Sequence, residues 1–301
     1  MKKSIVSISI ILLISAAGFS QTLIKHCLDS IVPTNGGKDI FSYDSKGNCI
    51  EEICNVWGKH IKVEFTYDNE DRQIIQIHYR WDDERNNWSK KEKSEMVYDS
   101  NGNKTTFNYR WEDDSNWEET EKYKSEYTYD KNRNLTMYII YQWDDDWKEY
   151  EKHEYTYDNR GNQILEIFYK TYDWDEDEKY ESIYDNKGNK TMDIHYYWRN
   201  NDWGKSSKFE YTYDDNGNRI MFIYYHWEDE INDWEKLYKC EAECDLSYSR
   251  KKLIVPSTYE YVYKNMITKE TYNNWSITDW RLDGITTYYW SAKKITTDNK
   301  K

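Results

Sequence analysis

Apolar and polar residues alternate along most of this chain, and the alternation restarts at a recurring Tyr-Asp pair. The Asp of that pair falls at Asp44, Asp68, Asp99, Asp130, Asp158, Asp185 and Asp214, at spacings of 24 to 31 residues. Nine residues on stands Ile53, Ile77, Ile139, Ile167, Ile194 or Ile223; eleven on, Tyr79, Tyr141, Tyr169, Tyr196 or Tyr225; thirteen on, Trp57, Trp81, Trp143, Trp198 or Trp227. The Asp99 copy lacks one residue, so Tyr109 and Trp111 come a step early, and Thr171 replaces Trp in the Asp158 copy. Period-two spacing predicts strands whose alternate side chains share a face. In the Asp130 copy, Leu135, Met137, Ile139, Tyr141 and Trp143 form the expected core face. Thr136, Tyr138, Ile140 and Gln142 form the expected solvent-facing side.

The segments between strands carry turn chemistry. "YDSKGN", "YDSNGN", "YDNRGN", "YDNKGN" and "YDDNGN" put Gly three residues after Asp. Asp bonds the backbone two residues on, and Gly supplies the positive φ of a bulged hairpin. A second link, as in "WDDERNNW", "WDDDW" and "WRNNDW", is acidic, variable in length and bounded by Trp. The fold class predicted is all-β: an antiparallel meander of tandem hairpins, about 14–16 strands, coiled or partly closed into a barrel-like shell. Residues 39–239 form the repeat array, preceded by a lead segment at 21–38. Residues 240–258 read as a cysteine-containing irregular break, and 259–301 as a degenerate capping repeat with a charged tail, since end units of repeat arrays are atypical.

At these residues the chain resembles the Tyr-Asp (YD) repeat proteins of bacterial Rhs-type shells. It resembles still more closely the secreted Bacteroidetes proteins built from "YEYTYDxNGN…YxWD" units. The resemblance covers roughly residues 39–290 and implies a coiled sheet; no toxin-like C-terminal region, self-cleavage core or sorting domain is recognised.

Composition sharpens this picture. Mean hydropathy is −1.12, yet Tyr 31, Trp 15 and Phe 7 supply the large rings of a folded β protein. "MKKSIVSISIILLISAAGFSQ" reads as a signal peptide over residues 1–20, so the chain is expected to be exported: periplasmic, extracellular or at the cell surface. Its cleavage removes two lysines and no acids, taking the formal net charge from −14 to −16. So acidic a chain is not expected to bind nucleic acid. No second long apolar run follows, so no transmembrane helix is expected. Cys49 and Cys54 are expected on opposite faces of one strand, and Cys27, Cys240 and Cys244 complete an odd set with no predicted pairing.

Candidate chemistry lies at the Trp-bounded links. Trp81, Trp88, Trp111, Trp117, Trp143, Trp147, Trp198, Trp203, Trp227 and Trp234 recur at one rim. Such a row suits stacking on sugar rings; alternatively each pair packs across its own hairpin. Exposed Tyr138 and Tyr224 would add contacts. Asp144, Asp145, Asp146, Asp173, Asp175 and Asp177 are oxygen ligands suited to Ca²⁺, but solvated acidic loops are the preferred reading and no metal is expected. His78 and His195 recur with the repeat, and no nucleophile, metalloprotease or phosphate-loop motif occurs. The function expected is an exported, non-enzymatic repeat protein without cofactor, binding a polysaccharide or envelope component through rows of Trp and Tyr. The alternatives are a scaffold that contacts another protein and an outer-membrane barrel.

Overall fold

The computed structural model describes residues 21–34, 36–56, 59–100, 102–112, 116–170, 177–199, 201–256, 262–276 and 279–297. The predicted signal peptide and Trp57, Thr171, Asp173 and Asp175 lie outside the described residues. The strands are β1 (Gln21–Pro33), β2 (Asp39–Tyr43), β3 (Cys49–Val56), β4 (Lys59–Tyr67), β5 (Gln73–Asp82) and β6 (Asn87–Tyr98). Next come β7 (Lys104–Glu112), β8 (Asn116–Tyr129), β9 (Leu135–Asp144), β10 (Asp146–Tyr157), β11 (Gln163–Lys170) and β12 (Glu178–Tyr184). The rest are β13 (Lys190–Arg199), β14 (Asp202–Tyr213), β15 (Arg219–Glu228), β16 (Asp233–Ser249), β17 (Leu253–Ile254), β18 (Asn265–Ser276) and β19 (Asp279–Thr297).

Each strand pairs antiparallel with the next as far as β16, which pairs with β18, and β18 with β19. β19 then pairs with β1 along its length, from Gln21↔Thr297 to Pro33↔Thr286. The 19-strand meander therefore closes into an 18-strand barrel, with the short β17 lying parallel against β1 at His26 and Cys27. Closure leaves no open sheet edge to the ring. The prediction of 14–16 strands fell short because the lead segment 21–38 holds β1, the strand that completes the ring. The expected irregular break also begins later: β16 runs through Cys240 and Cys244 to Ser249.

One hairpin end repeats the same local device. Asp158 Oδ1 accepts from the N–H groups of Arg160 (2.8 Å) and Asn162 (2.9 Å), while Oδ2 accepts from Asn162 Nδ2 (2.8 Å). Gly161 takes φ +84°, and Arg133 and Asp71 adopt the same left-handed conformation at φ 68° and 61°. Except at Tyr129, which is 56 % exposed, the Tyr before the Asp ties neighbouring strand pairs together. Tyr67 O–H donates to the Cys49 carbonyl (2.8 Å), Tyr98 to Gln73 (2.9 Å), Tyr157 to Leu135 (2.8 Å) and Tyr213 to Lys190 (2.7 Å). Each acceptor is the first residue of the return strand in the preceding repeat.

The two faces of the wall differ in kind. At the seam, Leu28, Ile31, Phe41, Cys49, Val63, Phe65, Ile267 and Tyr288 meet around Tyr263, which follows β17. Side chains from so many neighbouring strands converge only on the concave side, so this is the lumen. Glu270, 6 % exposed, accepts hydrogen bonds there from Tyr263, Tyr272 (2.8 Å) and Tyr288 (2.5 Å). Following the register from the seam puts Ile77, Tyr79 and Trp81, and their counterparts in each repeat, on the outer wall. The expected core face is thus the outside of the barrel from Met137 to Trp143, the extra residue at Thr136 putting Leu135 on the inner side, and Tyr138, Ile140 and Gln142 of the expected solvent face line the lumen. An extra residue at Ile50 also puts Cys49 and Cys54 on the same inner face, not opposite ones. All five cysteines are free.

Arg133→Gly is expected to raise stability by about 0.5–1 kcal/mol in urea unfolding, because a side chain at positive φ is strained there. The turn carboxylates make stability fall in acid. The Asn162 amide and backbone N–H groups hold Asp158 down at about 2, and similar bonds lower Asp130 and Asp185. Their contribution is present above about pH 4 and lost as pH falls toward 2. Urea midpoints measured across that range should drop, and the drop should shrink in Asp158→Asn.

Candidate functional site

The predicted Trp residues form a belt around the outer wall at the rim opposite the Tyr-Asp turns. Each pair packs edge to face across its own hairpin. Trp81–Trp88 centroids are 5.3 Å apart at 78°, Trp111–Trp117 4.8 Å at 71°, and Trp143–Trp147 5.3 Å at 77°. Trp198–Trp203 lie 5.2 Å apart at 68° and Trp227–Trp234 5.0 Å at 74°. Trp275–Trp280 form a further pair at 4.9 Å. The same Trp-link-Trp spacing in "NNWSITDW" marks it, but Lys264 stands where the reference Asp would be.

The ring faces of this belt are partly covered by lysines of adjoining strands. Lys90 stands 4.7 Å from the Trp111 ring, Lys122 4.9 Å from Trp143, and Lys205 4.1 Å from Trp227. A second lysine row stacks on the Tyr that precedes the Trp by two in each return strand: Lys93 on Tyr109 at 4.0 Å, Lys179 on Tyr196 at 4.1 Å, Lys208 on Tyr225 at 4.0 Å. Each of these lysines pairs with the Glu two residues on, Lys93–Glu95 at 2.7 Å, Lys179–Glu181 at 2.9 Å and Lys208–Glu210 at 2.7 Å. Lys179, then Tyr196, holds the Glu181 carboxyl below its usual range, while burial and Glu181 push Tyr196 up to about 12. The signal was legible as Lys-x-Glu before each Tyr-x-Tyr-Asp ("KSEY", "KHEY", "KFEY"). Only Trp143 and Trp198 of the ten predicted residues are well exposed, at 44 % and 38 %.

The acidic links bind their own chain. Asp144 pairs with Lys148 at 2.5 Å, and Asp146 accepts the Trp147 N–H at 2.8 Å. Asp145 sits at φ 60° in the turn, and the Asp177 carbonyl accepts from the Trp198 N–H at 2.8 Å. Among the described residues no three His, Cys, Asp or Glu side chains are grouped to hold a metal.

Chemistry not anticipated from the sequence gathers on the lumen wall across β5–β10. A cavity of about 260 Å³ is lined by His78, Glu92, Asn108, Arg110 and Glu121. Ser94 donates to Asn108 Oδ1 (2.7 Å), and both residues line the cavity. Burial lowers the His78 pKa, with Glu92 opposing. Two strands on, a cavity of about 250 Å³ is bordered by Lys104, Tyr123, Ser125, Tyr138, Tyr150 and Glu151. β-bulges shape this wall: Thr120 and Tyr150 are the extra residues in β8 and β10, and Tyr150 packs 5.7 Å from Tyr123. Aromatic stacking continues from Tyr138 to Tyr127 (5.0 Å) and to His153 (5.5 Å), which in turn stacks on Phe168 (4.6 Å). His153 Nδ1 lies 2.9 Å from Glu166 Oε1. Tyr224, the other predicted Tyr, also faces the lumen, stacked on Tyr238 at 4.9 Å. Flat rings beside amide, carboxylate and guanidinium groups form a surface that can hold a hydroxylated ligand.

No family model and no curated protein matches the chain. Among solved structures it is similar to a porin-like protein from Bacteroides uniformis, at 6 % identity and TM-score 0.42, covering 88 % of this chain and 96 % of that one. It is similar to a DUF3836 family protein from Parabacteroides distasonis at 14 % identity and TM-score 0.26, covering 38 % and 87 %. It is also similar to TcdB2-TccC3-TEV at 11 % identity and TM-score 0.28, covering 88 % of this chain and 16 % of that one.

If the Trp belt is structural, a double-mutant cycle on Trp198 and Trp203 to Ala should give a coupling of about 0.5–1.5 kcal/mol in unfolding free energy. Coupling near zero would mean the rings do not stabilise the hairpin.

Proposed function

We propose that this chain is an exported, non-enzymatic glycan-binding barrel of the YD-repeat kind, holding an oligosaccharide against its lumen wall. The observation that carries the reading is the run of cavities across β5–β10, where Tyr123, Tyr138 and Tyr150 adjoin Asn108, Arg110 and Glu121. Rings offer apolar faces to a sugar, and planar polar groups bond its hydroxyls. Six adjacent strands span about 24 Å across the wall, room for several sugar units. A barrel of 18 strands is wide enough for water beside the apolar cluster at the seam, which would give a polymer end access. The outer Trp belt is scaffold in this reading, because its rings pack on one another and on lysines.

The outer wall argues against lipid around the barrel. A Lys-x-Glu pair recurs on it from Lys62–Glu64 through Lys239–Glu241, and each lysine near a bilayer midplane would cost about 2–4 kcal/mol. The reading needs no cofactor, metal or nucleic acid. A second reading, a scaffold that contacts another protein, is favoured by the regular Lys–Tyr–Glu lattice of the outer wall.

Isothermal titration of residues 21–301 with bacterial, host and plant polysaccharides tests the proposal. One polymer class should saturate, Tyr138→Ala should weaken it at least tenfold, and Trp147→Ala and Trp203→Ala should leave it within threefold. Loss in the Trp variants with Tyr138→Ala unaffected would move the site to the outer belt. No binding across the panel would favour the scaffold.

A further inference from the structure

One lumen cation departs from the repeat. The residue five after each Tyr-Asp aspartate begins a return strand, and its side chain usually meets the residue three further on. Gln73 bonds Gln76 at 2.9 Å, Gln163 bonds Glu166 at 3.3 Å, and Lys190 pairs with Asp193 at 3.1 Å. Arg219 instead lies over the Phe222 ring at 5.2 Å. An extra residue after the first strand position, at Ile74, Ile164, Thr191 and Ile220, makes these contacts possible, because it puts positions three apart on one face.

The Asp99 copy lacks that residue. Its strands pair in regular register, Tyr98↔Lys104 then Val97↔Thr105. The residue three beyond Lys104 is therefore Phe107, which lies on the outer wall under Lys122 at 5.2 Å. Thr106 takes the place that Asp193 holds beside Lys190. Lys104 is left on the lumen wall with no ion pair among the described residues, between Tyr98 and Ser125, at the edge of the Tyr123–Tyr138–Tyr150 cavity. Glu151, at the far side of that cavity, is three strand spacings away, about 14 Å, beyond reach of an ion pair. Burial lowers the Lys104 pKa, as expected of an ammonium that has lost water without gaining a counter-ion.

We propose that Lys104 is the seat of a carboxylate on the bound sugar, so that the glycan taken by this wall carries a uronic-type acid group. The inference rests on the glycan-binding reading above and names its ligand class. Lys104 supplies the charge, the three tyrosines the stacking surface, and Ser125 a hydroxyl beside them. The formal net charge of residues 21–301, −16 against −14 for the whole chain, repels a polyanion at long range, while salt screens that field beyond about 8 Å. The ligand that fits is a largely neutral oligosaccharide with an isolated acid residue.

The test uses residues 21–301 against an array of neutral glycans and glycans bearing one uronic acid, each acidic glycan also presented as its methyl ester. Hits are re-measured by titration. The expected result is an acidic glycan bound at least tenfold more tightly than its ester, with Lys104→Met binding both alike and Lys104→Arg restoring the preference. An unchanged circular dichroism spectrum and melting midpoint control for folding. Equal binding of acid and ester, a preference that survives Lys104→Met, or binding of neutral glycans alone would overturn the inference and leave the glycan reading standing. Binding of no glycan would overturn both.

Discussion

The hydrogen bond that six of the seven Tyr-Asp tyrosines give to a backbone carbonyl of an earlier strand is the contact on which the wall depends. Antiparallel pairing alone allows strands to slip, and a slip of one residue exchanges the two faces. Tyr157 O–H on the Leu135 carbonyl and Tyr184 O–H on the Gln163 carbonyl pin one hairpin to the next at a single register. Beside them, Asp158 and Asp185 gather the N–H groups of their turns, fixing where each strand ends. A two-residue motif therefore encodes a turn and a link to the neighbouring unit.

With register fixed, each strand contributes the same layers to the same side. The outer wall becomes a lattice in which lysine ammoniums lie on tyrosine rings, glutamates accept from both, and Trp pairs clamp the far rim. The lysines of the Lys-x-Glu row each have a carboxylate and a tyrosine or tryptophan ring beside them, which lets much of the convex face meet water while covering its rings. The inner wall receives the less regular residues. Bulges turn Thr120 and Tyr150 into it, and the deletion in the Asp99 copy frees Lys104. The repetitive side builds the barrel, and the irregular side carries the features that distinguish one ligand from another.

Much of this was legible beforehand. The Tyr-Asp spacing, the Gly turns and the period-two strands led directly to an antiparallel meander of hairpins. The sense of the faces was not legible. Ile77, Tyr79 and Trp81 look like a core because they are large, yet they lie outside, where Lys62 covers the Tyr79 ring and Glu64 accepts its hydroxyl in place of a second layer. Long side chains lying along rings bury apolar surface without a hydrophobic partner, and a polarity pattern does not register that. The lumen cavities were missed for a related reason. His78 and Asn108 line one cavity and Tyr138 and Glu151 the other, in each case from different strands, so each grouping depends on strand pairing and on which face turns inward.

The sequence by itself determined the repeat unit, its turns, its strand alternation and the chain's acidity, because each depends on residues close together along the chain. The tertiary structure decided the rest: that β1 meets β19, that the closed sheet bends with the Trp face outward, and that Lys104 has no counter-ion among the described residues. These depend on how many units the chain holds and where its ends fall in space, since a sheet has an inside only once it closes.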